Sequence, residues 1–209
     1  MKGIFITFEG SEGCGKSTQS RLLYEYLKKK GYKVVYVREP GGTKIGEKIR
    51  KVLLDPNNHI TPVCEMLLYM AARAQLVNEI IQPALNTGKI VICDRFLDST
   101  IAYQGHGLGI DIKLIKNIGE LATEGIKPHL TILLDLPTKE GLAVCGRVKD
   151  RIEKRSLEYH LRVRKGYLKL ACAEPKRIKI IKVDKDKHKT QEKIRKLVSH
   201  FLRLCRLGI

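Results

Sequence analysis

The fold of this chain is decided by the stretch Gly10-Ser11-Glu12-Gly13-Cys14-Gly15-Lys16-Ser17, which matches the pattern G-x-x-x-x-G-K-[ST] in full. The apolar run Ile4–Phe8 precedes it, and an amphipathic segment near Ser17–Lys30 follows it. Between a strand and a helix, the glycines of such a loop let backbone N–H groups converge on phosphate oxygens. The stretch therefore predicts a P-loop protein that binds a nucleoside triphosphate and Mg²⁺, and it leaves the acceptor open.

Two residues of this loop, and one residue outside it, have predicted tasks in phosphate and metal binding. Lys16 is expected to hold the β- and γ-phosphates, and the Ser17 hydroxyl is expected to ligate Mg²⁺. Asp94 ends the apolar run Ile90–Asp94, where its carboxylate is placed to organise the same metal. The residues predicted to bind the triphosphate are Gly10, Ser11, Glu12, Gly13, Cys14, Gly15, Lys16, Ser17 and Thr18.

Apolar β-branched runs alternate with helix-length amphipathic segments from one end of the 209-residue chain to the other. This alternation predicts one α/β domain over residues 1–209, with a parallel sheet covered on both faces. Thr61-Pro62 is a favourable helix start, a hydroxyl cap followed by proline. The predicted strands are Ile4–Phe8, Lys33–Arg38, Ile90–Asp94, Leu130–Asp135 and Ile178–Val183; the predicted helices lie near Ser17–Lys30, Ile45–Leu54, Pro62–Leu85, Asp111–Thr123, Lys139–Val144, Leu157–Ala171 and Thr190–Leu204.

The composition limits the class of protein. No apolar run approaches the roughly 20 residues of a membrane span, and the first residues do not form a signal peptide, so we expect a cytoplasmic protein. Six scattered cysteines without a Cys-x-x-Cys pair argue against a zinc site or a disulfide framework. The net charge of +18 suits either a nucleic-acid binder or an enzyme for small polyanions, and charge alone does not choose.

The residue after Asp94 narrows the reaction. Motor-type and helicase-type ATPases usually place a glutamate there to polarise water, whereas this chain has Arg95, which suits a second anion. The chain also has no Asn-Lys-x-Asp stretch, so GTPase-type guanine selectivity has no support. Phosphoryl transfer to a phosphorylated acceptor is favoured. A nucleic-acid-stimulated ATPase, or a kinase for another nucleoside monophosphate, stays open as an alternative.

Five motifs in order resemble the signatures of bacterial-type thymidylate kinases: Phe8-Glu9-Gly10-Ser11-Glu12-Gly13, Arg38-Glu39-Pro40-Gly41-Gly42-Thr43, Tyr69-Met70-Ala71-Ala72-Arg73, Asp94-Arg95-Phe96 and Ser99-Thr100-Ile101-Ala102-Tyr103-Gln104-Gly105. The resemblance implies the nucleoside monophosphate kinase fold of P-loop proteins, a five-stranded parallel sheet with helices on both faces and a small lid. It also implies transfer of the γ-phosphoryl group of ATP to dTMP, and a homodimer; nucleic acid is not an expected partner.

The resemblance assigns the acceptor site as well. Tyr69 and Arg73 are four residues apart on one helix face; the ring is expected to stack on thymine and the guanidinium to contact the base or phosphate edge. Arg38 and Arg95 are expected to hold the 5′-phosphate, because a planar fork fits a phosphate in two places. Arg50 is a further expected contact.

Four more polar residues complete this predicted acceptor site. Glu12 is unusual beside phosphates, and it is expected to accept a hydrogen bond from the 3′-hydroxyl of the sugar. Ser99 and Gln104 offer polar edges to the thymine ring. Tyr103 is expected to crowd the 2′ position and so disfavour ribonucleotides.

The segment from about residue 144 to 155 is predicted to be the lid. Gly13 and Cys14 give the phosphate loop no arginine, so the chain resembles the class of thymidylate kinases whose lid supplies the catalytic arginine. Arg147 and Arg151 are the candidates, and they join Lys16 and Arg95 as predicted catalytic residues. Arg151 lies in Asp150-Arg151-Ile152-Glu153, which matches the family signature, whereas Val144 and Cys145 stand where arginines often occur, so Arg151 is expected to be the more important of the two. A solvated basic loop is the alternative reading.

Overall fold

A computed structural model describes residues 3–146 and 150–207 of the chain, with side chains described to residue 205. Its centre is a five-stranded, fully parallel sheet in the order β2-β3-β1-β4-β5. The strands are β1 Ile4–Glu9, β2 Val34–Arg38, β3 Ile90–Asp94, β4 Leu130–Asp135 and β5 Ile178–Lys182. The register sets Asp94 of β3 beside both Phe8 of β1 and Arg38 of β2, so the ends of these three strands share one edge.

Helices fill the connections between the strands. Within the described ranges, no helix is long and apolar enough to cross a membrane. The helices are α1 Lys16–Lys29, α2 Lys44–Leu54, α3 Pro62–Leu76, α4 Gln82–Asn86, α5 Leu97–Thr100, α6 Ile112–Thr123, α7 Thr138–Val144, α8 Leu157–Ala173 and α9 Lys187–Leu207, with π-helical stretches at Val77–Ile81 and Ile101–Gly107.

Alternate residues of the strands point to opposite faces of the sheet, and each face has its own core. Ile6 and Ile92 belong to a cluster with Leu23 and Leu27 of α1 and with α9. Phe5 belongs to the opposite cluster with the end of α3 and the π-helical stretch that follows it. The period of two residues along the strands therefore gives the two covered faces that the sequence predicts.

The bounds predicted for β3 and β4 are confirmed, and the other strand ends differ by a residue. The predicted helix Pro62–Leu85 is wrong in one respect: it is interrupted by the π-helical turn Val77–Ile81. Pro83 lacks the N–H that a continuous α-helix would donate to the carbonyl of Glu79. Thr61 occupies the N-cap position, but its hydroxyl makes no capping bond, so the predicted hydroxyl cap is also wrong.

The segment from Leu97 to Gly107 is helical, although the sequence did not predict a helix there. The glycines of this segment obscure its helical pattern in the sequence. Close packing against α8 explains both the helix and the presence of glycine. A Cβ on Gly107 would lie 2.6 Å from the ring of Tyr159, and a Cβ on Gly166 would lie 2.6 Å from His106. Tertiary packing of side chains against these glycines therefore sets the structure of this segment.

Candidate active site

A cavity of about 420 Å³ opens at the carboxyl ends of β1, β2 and β3. Open parallel sheets bind ligands at this edge, where the strand order reverses direction. The phosphate loop forms one wall, and α3 with the π-helical stretch Ile101–Gly107 forms the other. Its lining includes Glu12, Gly13, Gly15, Lys16, Ser17, Thr18, Arg38, Arg50, Tyr69, Asp94, Arg95, Ser99, Tyr103 and Gln104.

The phosphate loop has the backbone that anion binding requires. Gly13 and Gly15 have φ values of +68° and +83°, in the left-handed region that favours glycine. A Cβ on Gly13 would also collide with the backbone carbonyl of Gly141 in α7. The N-cap residue of α1 is Gly15, which has no side chain to cap the first turn, so the N–H groups of that turn stay open to a ligand. Lys16 crosses the loop and donates from Nζ to the Ser11 carbonyl at 2.7 Å.

Two oxygen ligands for a metal meet beside the loop. Ser17 Oγ donates to Asp94 Oδ2 at 2.5 Å, which joins the first turn of α1 to the end of β3. The Asp94 side chain is buried at the base of the cavity. A hydroxyl next to a carboxylate is the type of ligand pair that Mg²⁺ takes when phosphates and water supply the rest. The donor set therefore fits this ion.

Glu12, Arg95 and Tyr103 form one hydrogen-bonded group inside the cavity. Arg95 Nη2 donates to Glu12 Oε1 at 2.9 Å, and the Tyr103 hydroxyl donates to the same oxygen at 2.6 Å. Burial raises the pKa of Glu12, but the charges of Arg95 and Lys16 and the Tyr103 hydroxyl outweigh it, so the pKa falls to about 2. Arg95 has a φ of +72°, rare for a residue with a side chain, and this backbone aims its guanidinium into the group.

Glu9, at the end of β1, was missed as a site residue by the sequence reasoning. Its fully buried carboxylate accepts hydrogen bonds from Phe96 N at 2.7 Å, Ser99 Oγ at 2.6 Å and the Tyr167 hydroxyl at 2.8 Å. Burial and the negative charge of Asp98 raise the pKa of Glu9 to about 7. Glu9 thereby holds Ser99, a predicted acceptor contact, in place. The sequence feature that could have indicated Glu9 is a carboxylate at the end of an otherwise apolar strand.

The predicted phosphate ligands stand at the mouth of the cavity. Arg38 pairs with Glu47 at 3.3 Å and remains 43% exposed, so its guanidinium is accessible. Arg50 donates from Nη1 to the Pro40 carbonyl at 2.9 Å. Burial and the neighbouring charge of Arg38 lower the pKa of Arg50.

Arg73 is not among the residues that line the cavity, and its expected contact with the base or phosphate edge stays a prediction. Its side chain is 1% exposed and contacts Glu39 and Thr100, which do line the cavity. Nε donates to Glu39 at 2.8 Å, and Nη2 donates to the Phe96 carbonyl and the Thr100 hydroxyl, each at 3.1 Å. The buried Glu39 carboxylate holds the guanidinium there, so Arg73 joins the segment after β2 to the segment after β3.

The lid and the catalytic roles of its two arginines stay predictions. Arg147 lies outside the described residues. Arg151 is not in the cavity lining, because Nε donates to the Leu53 carbonyl at 2.8 Å and Nη2 lies 2.6 Å from Glu65 Oε2. Among the described residues of this region, Val144, Asp150, Ile152 and Glu153 line the cavity.

Comparison with known proteins agrees with this geometry. The model of the family described as thymidylate kinase matches residues 8–194. The chain belongs to the thymidylate kinase family. The predicted family, and the prediction that the chain is a kinase, are thus confirmed.

Relatives within this family cover nearly the whole chain. A thymidylate kinase of Thermoanaerobacter sp. is 51% identical over an alignment of 194 residues that covers 89% of this chain and 96% of the relative. One of Symbiobacterium thermophilum is 49% identical over 95% of this chain and 94% of its own length. The crystal structure of thymidylate kinase from Ehrlichia chaffeensis superimposes with a TM-score of 0.79 at 34% identity, covering 95% of this chain and 100% of that one. The predicted fold is therefore confirmed.

Proposed function

We propose that this chain transfers the γ-phosphoryl group of ATP to dTMP, giving ADP and dTDP for dTTP synthesis. One observation carries this proposal: a single cavity joins the phosphate loop, with Lys16, to a wall that presents Arg95, Tyr69 and Gln104. A donor triphosphate and an acceptor monophosphate can therefore meet between the two walls. The family membership supplies the identity of the acceptor.

The donor side consists of the loop Gly10–Thr18 and the adjoining metal ligands. Backbone N–H groups and Lys16 bind the phosphates, and Ser17 and Asp94 hold Mg²⁺, which neutralises phosphate charge when bound. The 2.5 Å bond between Ser17 and Asp94 supports this assignment, since it brings both oxygens to one place.

The acceptor side recognises a phosphate, a sugar and a base. Arg38, Arg50 and Arg95 bind the 5′-phosphate, and Glu12 receives the 3′-hydroxyl. Tyr69 stacks on the base, while Tyr103 crowds the 2′ position and Ser99 with Gln104 borders the ring. Arg73 supports the site by holding Glu39 and the Phe96 carbonyl in place through its buried hydrogen bonds.

The reaction needs no general base. A phosphate monoester has a second pKa of about 6, so an oxygen of dTMP is already ionised at neutral pH and attacks the γ-phosphorus in line. Lys16 and Arg95 stabilise the charge of the transition state. We propose a further cation from a lid at about residues 144–155, within a single-domain enzyme. Arg147 is favoured over Arg151, because Arg151 would have to leave Glu65.

The assay that tests this function couples ADP release to each common nucleoside monophosphate in turn. A parallel preparation of Lys16→Ala measures any contaminating kinase. We expect dTMP to exceed every other acceptor by about tenfold or more, as for a site that hydrogen-bonds its substrate. Equal or greater turnover with the monophosphate of adenosine, guanosine or cytidine would refute the assignment.

We also propose that the enzyme is a cytoplasmic homodimer. Val63 and Leu67 on α3, with Leu114 and Leu121 on the adjoining α6, are exposed apolar side chains that a second copy would cover. All six cysteines are free thiols, which suits a reducing compartment. Sedimentation equilibrium of the protein and of Leu67→Glu tests the dimer. We expect a dimer and a monomer respectively; a monomeric wild-type protein would contradict this.

The net charge of +18 is proposed to be a surface property without a nucleic-acid partner. A nucleic-acid footprint would give binding that falls steeply with salt, because phosphate contacts release counterions. We expect no submicromolar binding of DNA or RNA at physiological salt. Tight binding with a steep salt dependence would restore the nucleic-acid alternative.

A further inference from the structure

Glu65, in the first turn of α3, has a role that no sequence motif indicated. Its carboxylate is 0% exposed and lies behind the acceptor wall. Gln104 Nε2 donates to Oε1 at 2.8 Å, and Arg155 Nη2 donates to Oε2 at 2.6 Å. Arg151 Nη2 lies 2.6 Å from the same Oε2 as an ion pair outside hydrogen-bond angles. A buried carboxylate thus connects Gln104 to two arginines at the end of the lid region.

The partners of Glu65 determine which end of the Gln104 amide faces the cavity. A carboxylate paired with guanidinium groups accepts hydrogen bonds and donates none. The amide nitrogen of Gln104 must therefore face Glu65, which turns the amide oxygen away from it. Gln104 lines the cavity, and no other described residue donates to this oxygen. The site presents an acceptor at this point, and the opposite amide orientation would leave Glu65 facing a second acceptor.

We propose that Glu65 is a specificity-determining positioning residue, which fixes the Gln104 amide so that its oxygen accepts a hydrogen bond from the base. Thymine and uracil carry a donor at N3, whereas cytosine carries a lone pair there. An amide locked with its oxygen outward pairs with the first two and repels the third. This inference rests on the proposed function and deepens it, because it concerns how the same site distinguishes pyrimidines.

Because of Arg151 and Arg155, the orientation of the Gln104 amide does not depend on a bound base. They neutralise the buried carboxylate from the side opposite Gln104, so Glu65 keeps its acceptor character without help from a ligand. Arg155 also lies over the ring of Tyr159, 4.6 Å from its centroid, and that contact restrains the guanidinium. The amide orientation is therefore set by the folded chain before the acceptor arrives.

The test compares dTMP with 5-methyl-dCMP, which differ only in the groups at positions 3 and 4 of the ring. Glu65→Gln removes the obligatory acceptor and frees Gln104 to turn. We expect the ratio of kcat/KM for dTMP to that for 5-methyl-dCMP to fall about tenfold or more, with the change mostly in KM. Glu79→Gln, an exposed glutamate farther along the same helical run, should leave the ratio unchanged.

Two further variants keep the test decisive, because an amide opposite two buried guanidinium groups destabilises the fold. Glu65→Asp retains the charge for the arginines but withdraws it from Gln104, and it should lower the ratio as well. Gln104→Met removes both ends of the amide, so substitution of Glu65 in that background should change the ratio no further. A purely structural role for Glu65 would lower both activities equally in every background.

The unmodified enzyme gives an answer that needs no variant. It should use dUMP in preference to dCMP, a pair that differs only at positions 3 and 4 of the ring. Equal use of these two acceptors, or an unchanged ratio in folded Glu65→Asp and Glu65→Gln, would overturn the inference. Absence of dTMP turnover in the wild-type protein would instead refute the proposed function.

Discussion

Replacing Glu9 with glutamine is predicted to change how stability depends on pH. The pKa of Glu9 is raised from an ordinary 4.5 to about 7, first by burial and then by the charge of Asp98. At about 1.36 kcal/mol per pH unit, this difference corresponds to about 3 kcal/mol. Because the folded pKa is the higher one, the stabilisation is fully present below pH 4.5 and is lost as the pH rises through about 7.

Between pH 5 and pH 8 the wild-type protein should therefore lose about 2.5 kcal/mol of unfolding free energy through Glu9 alone. Glutamine has no proton to release, and its amide can still accept from Phe96 N and donate to the Ser99 and Tyr167 hydroxyls. Glu9→Gln should thus gain about 2.5 kcal/mol relative to wild type across this range. Ser99 should stay in place in Glu9→Gln. We therefore expect the variant to differ little from wild type in activity with dTMP at pH 6, and to differ mainly in its unfolding free energy at pH 8.

Urea denaturation at fixed ionic strength, repeated at half-unit steps from pH 5 to pH 8, measures this difference. Other titrating groups cancel when the variant is subtracted from wild type. Glu192→Gln, an exposed glutamate of α9, serves as the control and should run parallel to wild type. Parallel curves for Glu9→Gln as well would show that the Glu9 carboxyl is ionised throughout, and the reasoning would be wrong.

Three further predictions concern the reaction itself. Lys16→Ala should stay folded and lose nearly all phosphoryl transfer, because the phosphates lose their point charge; activity above a few per cent in the coupled assay would contradict the loop assignment. Arg147→Ala should lower kcat about 10²-fold with little change in KM, whereas Arg151→Ala should lower the unfolding free energy in urea by about 2 kcal/mol, because Glu65 loses one of its two guanidinium partners; a kcat loss confined to Arg151→Ala would reverse the two roles. Tyr103→Ala should narrow the preference for deoxy over ribo acceptors, and an unchanged ratio of the two efficiencies would remove that role.

The acceptor site shows how far residue types alone could be interpreted. Arg38, Tyr69, Arg95 and Gln104 line the cavity, as their motifs predicted, because each follows a strand or faces inward from a helix at the sheet edge. Arg73 matched its motif equally well, yet its buried side chain is not part of the cavity lining. Glu39 decides the difference, since a buried carboxylate 34 residues away holds the guanidinium at 2.8 Å. Charge and spacing did not reveal which partner an arginine would take.

The sequence by itself determined the phosphate loop, the parallel sheet and the family, since each depends on local backbone requirements: glycines with positive φ, apolar alternation and a helix that begins at Lys16. Only the tertiary structure decided which residues pair with the buried carboxylates. Glu9 meets Tyr167 across 158 residues, and Glu65 meets Arg155 across 90. A buried charge takes its partner from whichever segments pack against it, because leaving it unpaired costs several kcal/mol, and that packing exists only once the sheet and its helices have assembled.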